Sequence, residues 1–153
     1  MKEYRRSAHS VFEIHLHFVW ITKYRRKVLT GEVAHRVRDL VRQICGDQDV
    51  TIIKGHVSSD HVHLFVSIPP QVTISRLVQR VKGKTAYKLL AEFPHLRKKF
   101  WGRHVWARGY FCCSRGNVTD EAIEAYIEQQ SHDTDAEFRV EGEEPSKMEP
   151  PSP

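Results

Sequence analysis

The sequence predicts an α+β domain of the ferredoxin-like class, with a βαββαβ antiparallel sheet and its helices on one face. Two observations predict this class. Alternating β-branched and aromatic residues mark four strands, at 11–22, 50–57, 61–68 and 104–113. Apolar residues recur at helical spacing in two segments, at 31–46 and 73–93. The order along the chain is strand, helix, two strands, helix and strand.

The boundaries of these elements carry turn and cap residues. A basic turn, KYRRK at 23–27, follows the first strand. The polar residues 58–60 join the two middle strands into a hairpin, and Pro69-Pro70 ends it. Thr73 is placed to cap the second long helix. Thr119 is the predicted N-cap of an extra C-terminal helix.

Length and composition predict one domain, residues 1–131, followed by an acidic, proline-rich tail, residues 132–153, that we expect to be disordered. No apolar run approaches the roughly 20 residues that span a membrane. The N-terminus also lacks the apolar core of a signal peptide, so we expect a cytoplasmic protein without a membrane partner. The three cysteines, Cys45, Cys112 and Cys113, have no Cys-x-x-Cys spacing, which excludes a disulfide framework and a standard zinc module.

Charge is unevenly distributed along the chain. The tail from His132 onward has seven acidic and two basic residues, a net charge of −5. The preceding 131 residues have 22 basic and 12 acidic residues, a net charge of +10. A body this basic indicates a polyanionic partner such as nucleic acid, although a solvated surface has the same composition.

A His-x-His pair lies on the third predicted strand. His61 and His63 are two residues apart, so both imidazoles point to one face of the sheet while Val62 and Leu64 point to the other. Two imidazoles about 7 Å apart along a strand can converge on one divalent ion. The alternative is a pair of surface or hydrogen-bonded histidines without a ligand, which is the commoner role of a bare His-x-His.

The last predicted helix supplies a second pair. Tyr126 and Gln130, in AYIEQQ, are four residues apart and share one helical face. An amide oxygen suits a hard ion such as Mg²⁺ or Mn²⁺, and a phenol beside such an ion can attack a phosphodiester. The alternative is that Tyr126 packs against the sheet and Gln130 is an exposed helix residue.

At these residues the sequence resembles the single-tyrosine HUH transposases. These are the TnpA-type transposases of small bacterial insertion sequences, in the superfamily of the REP-associated tyrosine transposases. His61-Val62-His63 is the HUH motif. Four segments carry the resemblance: TKYRRKVLTGEV, SSDHVHLFVSIPP, WARGYF and AYIEQQ. It covers about residues 11–131, and Cys112-Cys113 and the acidic tail depart from the pattern.

The resemblance implies an enzyme that cuts and rejoins single-stranded DNA near hairpins. Tyr126 would be the nucleophile that forms a 5′-phosphotyrosine, and His61, His63 and Gln130 would hold Mg²⁺ or Mn²⁺. The family acts as a homodimer in which each active site combines the HUH strand of one subunit with the tyrosine helix of the other. The fold is then a ferredoxin-like sheet with an added helix that carries the tyrosine.

On this reading the basic residues contact DNA phosphates. The candidates follow the first strand or lie near the second long helix: Lys23, Arg25, Arg26, Lys27, Arg76, Arg80, Lys82 and Lys84. Trp101, Trp106 or Tyr110 could stack on bases, although a tryptophan is more often a core residue. Two alternatives stay open, namely a non-catalytic ferredoxin-like nucleic-acid-binding or regulatory protein, and a domesticated transposase that acts on chromosomal repeats.

Overall fold

The computed structural model describes residues 5–6, 11–12, 14–100, 104–114 and 138–141 of the chain. The strands are β1 Arg5–Arg6, β2 Val11–Phe12, β3 His15–Ile21, β4 Thr51–Ser58, β5 His61–Ser67, β6 Phe111–Ser114 and β7 Phe138–Val140. The helices are α1 Gly31–Asp47, α2 Ile74–Glu92 and α3 Pro94–Lys99, and a 3-10 turn spans Lys23–Arg25.

Five strands form one sheet in the order β6-β3-β5-β4-β7. The first four of these are antiparallel neighbours. The two central strands, β3 and β5, are the first and third strands of the βαββαβ unit, and this is the ferredoxin-like arrangement. The predicted fold class is therefore confirmed. The short strands β1 and β2 form a separate two-stranded sheet.

The core lies between this sheet and the helices. On β5, the alternate residues Val62, Leu64 and Val66 are buried in the cluster that includes the apolar faces of α1 and α2. The buried residues of α1 recur every three or four positions: Val33, Ala34, Val37, Leu40, Val41, Ile44 and Cys45. Thr73 caps α2 as predicted, because its side-chain oxygen accepts a hydrogen bond from the Arg76 backbone N–H at 3.3 Å.

Two predicted strands are shorter than the sequence indicated. The first begins only at His15, because residues 11–12 pair with β1 instead of the main sheet. The fourth is limited to Phe111–Ser114. The segment before it turns at Gly109, whose φ is +78°, and the Lys82 ammonium group donates to the carbonyls of Ala107 and Gly109 at 2.8 Å each. Those carbonyls therefore bond to a side chain instead of a neighbouring strand.

The tail that we expected to be disordered contributes a strand. The prediction of disorder is therefore wrong for residues 138–140. β7 pairs in parallel with β4, and Phe138 and Val140 are buried in the core. A Cβ atom at Gly55 would lie 2.5 Å from the Phe138 ring, so the glycine leaves the space that the ring occupies. The composition of the tail did not predict this strand because Phe138 and Val140 stand among many acidic and proline residues.

The predicted C-terminal helix that begins near Thr119 lies outside the described residues. No helix in the described ranges is long and apolar enough to cross a membrane.

Candidate active site

Three segments meet at the end of the sheet where β5 begins. The Thr22 N–H donates to the Asp60 carbonyl at 2.9 Å, and the Lys23 N–H donates to the Val105 carbonyl at 2.8 Å. The Leu29 N–H donates to the Ser59 carbonyl at 2.9 Å. These backbone bonds hold the basic turn at 23–27 against the tip of the β4–β5 hairpin. His61, the first residue of β5, lies at this junction.

His61 is fixed by a buried carboxylate. Its Nδ1 lies 2.9 Å from Oδ1 of Asp60, and because a carboxylate only accepts, the Nδ1–H is the donor. The other oxygen of Asp60 accepts from the Nε of Arg25 at 2.9 Å, and the Arg25 Nη2 lies at the same distance. Both His61 and Asp60 are almost fully buried. The arrangement sets one tautomer of His61, with its lone pair on Nε2.

The Nε2 atom of His61 is buried and has no hydrogen-bond partner among the residues that the structure describes. Burial lowers the pKa of the His61 imidazole below its ordinary value, and the hydrogen bond to Asp60 acts in the opposite direction. The ring is therefore neutral near pH 7. A buried, neutral nitrogen lone pair held in a fixed direction has the properties of a metal ligand.

His63 lies on the same face of β5, two residues further along. Its Nε2 lies 3.2 Å from the Nδ1 of His17 on the neighbouring strand β3, and the His17 ring stacks on Phe65 with centroids 4.3 Å apart. His56 on β4 is directly opposite His63 in the sheet register. The face of the sheet opposite α1 and α2 therefore presents a cluster of imidazole rings around the predicted metal ligands.

Two of the predicted site residues, Tyr126 and Gln130, lie outside the described residues. Within residues 14–100, 104–114 and 138–141, no group of three or more histidine, cysteine, aspartate or glutamate side chains could hold a metal ion. Of the two predicted histidine ligands, only His61 has a buried nitrogen without a hydrogen-bond partner among the described residues, whereas the Nε2 of His63 lies against His17. Gln130, the third donor predicted for the metal, lies outside the described residues, so the ligand set stays a prediction.

An acidic residue, Glu141, directly follows strand β7 and lies beside this junction. The Glu141 side chain accepts a hydrogen bond from the Ser59 N–H at 2.9 Å, and its backbone N–H donates to the Val57 carbonyl. Its negative charge acts to raise the pKa of His61 against the larger effect of burial. Glu141, which lies beyond the predicted catalytic domain of residues 1–131, therefore contacts the tip of the hairpin that carries His61.

The basic residues predicted to contact DNA fall into two groups. Arg25 and Lys82 are engaged within the protein, Arg25 with Asp60 and Lys82 with the carbonyls of the 107–109 turn. Burial also lowers the pKa of Lys82. Lys23 on the turn is partly exposed, and the exposed candidates are Arg26 and Lys27 on the turn and Arg76, Arg80 and Lys84 along α2. The last three are spaced four residues apart, so they form a stripe on one face of the helix.

The three aromatic residues considered for base stacking differ in where the structure places them. Trp106 is a core residue: its Nε1–H donates to the Thr85 hydroxyl at 2.9 Å, and its ring meets Trp20 edge-on at 6.0 Å. The stacking role considered for Trp106 is therefore wrong. Tyr110 is partly exposed, and Trp101 lies outside the described residues.

Asp60 and His17 were not predicted as site residues. The sequence carries a signal for Asp60, because an acidic residue directly before a His-x-His strand can reach the first histidine. His17 gives no such signal, since its proximity to His63 depends on the pairing of β3 with β5.

Comparisons with known proteins place the chain in a family. Residues 10–130 match the family model described as "Transposase IS200 like". The ISDra2 transposase TnpA of Deinococcus radiodurans is 35% identical over 131 residues, covering 86% of this chain and 93% of that protein. The transposase for insertion sequence element IS200 of Salmonella typhimurium is 32% identical over 123 residues, covering 80% of each chain.

Solved structures agree with this result. A crystal structure described as that of a transposase from Deinococcus radiodurans R1 superposes with a TM-score of 0.75 at 32% identity, covering 84% of this chain and 99% of the other. A REP-associated tyrosine transposase bound to a REP hairpin has a TM-score of 0.53 at 15% identity, covering 83% and 68%, and shows the shared fold.

The fold and the matches define a DNA transposase, a protein that acts in DNA transposition and recombination. The chain belongs to the IS200-like transposase family. The resemblance stated from the sequence is confirmed at this level. The family match ends at residue 130, so β7 and Glu141 come from the part of the chain beyond it.

Proposed function

We propose that this transposase cuts and rejoins single-stranded DNA through a 5′-phosphotyrosine on Tyr126, with Mg²⁺ or Mn²⁺ held by His61, His63 and Gln130. The observation that carries the proposal is the hydrogen bonding and burial of the two ring nitrogens of His61. Asp60 fixes its Nδ1–H, while its Nε2 is buried and has no hydrogen-bond partner among the described residues. Leaving a buried polar atom unsatisfied is costly, and a bound cation removes that cost.

The reaction exchanges one phosphodiester for another. The Tyr126 oxygen gives up its proton and attacks phosphorus, the bond to the 3′ oxygen breaks, and that oxygen takes up a proton to become a 3′-OH. A divalent ion, when bound, supplies positive charge at a nonbridging oxygen of the phosphate. Because the phosphotyrosine has nearly the same bond energy as the original diester, rejoining needs no nucleotide cofactor.

The proposed substrate is a single strand that carries a hairpin. The basic stripe of Arg76, Arg80 and Lys84 on α2 offers cations at a repeat of about 6 Å, which can follow a phosphate backbone. The excess positive charge of the body before His132 supports the same partner. A REP-associated tyrosine transposase of the same fold is bound to a REP hairpin, which makes a hairpin the first substrate to test.

A direct test is to incubate the protein and a labelled single-stranded hairpin oligonucleotide with Mg²⁺ and separate the products under denaturing conditions. We expect a covalent protein–DNA adduct with the native chain. The adduct should be lost in excess EDTA and in His61→Ala or His63→Ala variants. A gel shift under native conditions without any covalent adduct would instead identify a non-catalytic DNA-binding protein.

We further propose that the protein is a homodimer with active sites shared between subunits. A His61→Ala, His63→Ala double variant and a Tyr126→Phe variant should each be inactive, and a mixture that exchanges subunits should regain activity. One site of the mixed dimer then joins intact histidines to an intact tyrosine. If the two variants exchange subunits and the mixture stays inactive, each site is built within one chain.

A further inference from the structure

An exposed aromatic ring stands on the basic turn beside the candidate active site. The Tyr24 side chain is 73% exposed, although most large apolar side chains in the described part of the chain are buried. Two cations lie near the ring: the Lys23 Nζ is 5.5 Å from the ring centroid, and the Arg26 guanidinium carbon is 5.6 Å from it. An accessible aromatic face flanked by cations is the combination that binds single-stranded nucleic acid.

The backbone under this ring is strained. Tyr24 has φ 61° and ψ 20°, and Arg25 has φ 52°, so two successive residues with side chains adopt the left-handed conformation. This conformation is unfavourable for tyrosine and for arginine. Backbone strain of this kind occurs most often at functional sites. Glycine or asparagine would relieve it at position 24. The backbone strain therefore opposes the stability that the ring gains from its two cation contacts.

The turn is nonetheless held firmly. The Thr22 hydroxyl donates to the Arg26 carbonyl at 2.8 Å, and the Arg25 N–H donates to the Thr22 carbonyl at 3.0 Å. The Arg25 guanidinium is bound to Asp60, which holds His61. The ring is thus presented on a fixed support that is linked, through two side chains, to a proposed metal ligand.

We propose that Tyr24 is a base-stacking subsite for single-stranded DNA next to the scissile phosphate, with Lys23 and Arg26 contacting the phosphates on either side of the stacked base. Because every base has an aromatic face, this subsite orders the strand without selecting its sequence. The inference rests on the proposed function, since it requires that single-stranded DNA be the substrate.

The test uses the full chain, EDTA to prevent cleavage, and a fluorescent DNA hairpin with oligothymidylate flanks. Tyr24→Asn removes the ring and suits the left-handed backbone, so we expect its Tm to equal or exceed that of the native protein while affinity falls about tenfold. Tyr24→Phe keeps the stacking face and should bind within about twofold of the native protein. Tyr87→Ala is the control for position, because Tyr87 is also 73% exposed but lies on α2 beside Lys84, so any loss of affinity there should depend on a different part of the DNA.

Replacing one flank thymidine at a time by an abasic site then locates the contact. One abasic position should weaken native binding about tenfold and have almost no effect on the Tyr24→Asn variant, since the stacking partner is already missing. Tyr87→Ala should show no such coupling at that position. The inference is overturned if no position couples to Tyr24, or if Tyr24→Asn changes the oligomeric mass, which would assign the ring to a subunit contact. If the native chain itself does not bind the hairpin, the proposed function fails with it.

Discussion

His61 and Asp60 form a buried hydrogen bond of 2.9 Å between adjacent residues of the chain, at the point where the β4–β5 turn becomes strand β5. The Nδ1–H of the imidazole donates to the carboxylate. The basic lone pair of the ring is therefore on Nε2. A carboxylate in this position makes a histidine a better ligand and fixes its direction. Under the proposed function, Asp60 therefore orients the first histidine of the HUH motif as a metal ligand.

Removing the charge of Asp60 should weaken metal binding. We expect Asp60→Asn to lower the affinity for Mn²⁺ about tenfold or more, because the imidazole loses its anionic partner. A Mn²⁺ titration followed by electron paramagnetic resonance measures this directly, without relying on activity. Asp49→Asn makes the same chemical change at an exposed residue beyond α1 and should leave the affinity unaltered. Equal Mn²⁺ affinity of the native and Asp60→Asn proteins would show that the carboxylate does not support the metal site.

Adjacent arginines on the basic turn should have different roles. Arg25→Ala removes the ion pair with Asp60, so we expect weaker Mn²⁺ binding and a loss of cleavage. Arg26→Ala removes an exposed cation, so DNA affinity should fall and the slope of log affinity against log salt should decrease by about one. Mn²⁺ titration and salt-dependent DNA binding on both variants separate the two roles. The assignment fails if both variants show the same pattern of losses.

Lys82 should contribute to stability and Lys84 to DNA binding. The Lys82 ammonium group bonds to two carbonyls of the turn at 107–109, so Lys82→Ala should lower the free energy of unfolding by about 1–2 kcal/mol. Lys84 is exposed on the same helix, and its replacement by alanine should change stability by less than about 0.5 kcal/mol. Urea denaturation provides the comparison. Similar stability losses for the two variants would contradict this assignment.

Alanine at Gly55 should detach β7. A Cβ there would lie 2.5 Å from the Phe138 ring, so we expect Gly55→Ala to destabilise the protein by about 1–3 kcal/mol through overpacking. Gly83→Ala is the matched control with the opposite expected sign, because nothing lies within 4 Å of its Cβ position and the residue is inside α2. Alanine there should stabilise the helix by up to about 1 kcal/mol. A stable Gly55→Ala protein would mean that β7 does not depend on this glycine.

Most of the fold could be predicted from the sequence because it depends on local patterns. The helical spacing of α1 and the alternation of β5 each reflect one buried face, and the structure retains both. The hydrogen bond of His17 to His63 and the docking of Phe138 over Gly55 could not be predicted, since each joins residues that are distant in sequence. Prediction from the sequence also failed to distinguish individual basic residues. Arg25 and Arg26 are the same residue type, and only their contacts in the structure separate them.

The central claim is that Tyr126 becomes covalently linked to the 5′ phosphate of the cleaved strand. The most direct measurement is mass spectrometry of the proteolysed adduct that forms with a single-stranded hairpin oligonucleotide and Mg²⁺. We expect a nucleotide phosphate on the peptide that contains Tyr126, and no adduct with the Tyr126→Phe variant under conditions where DNA binding is retained. A nucleotide on a different residue, or an adduct that persists in the Tyr126→Phe variant, would contradict the claim.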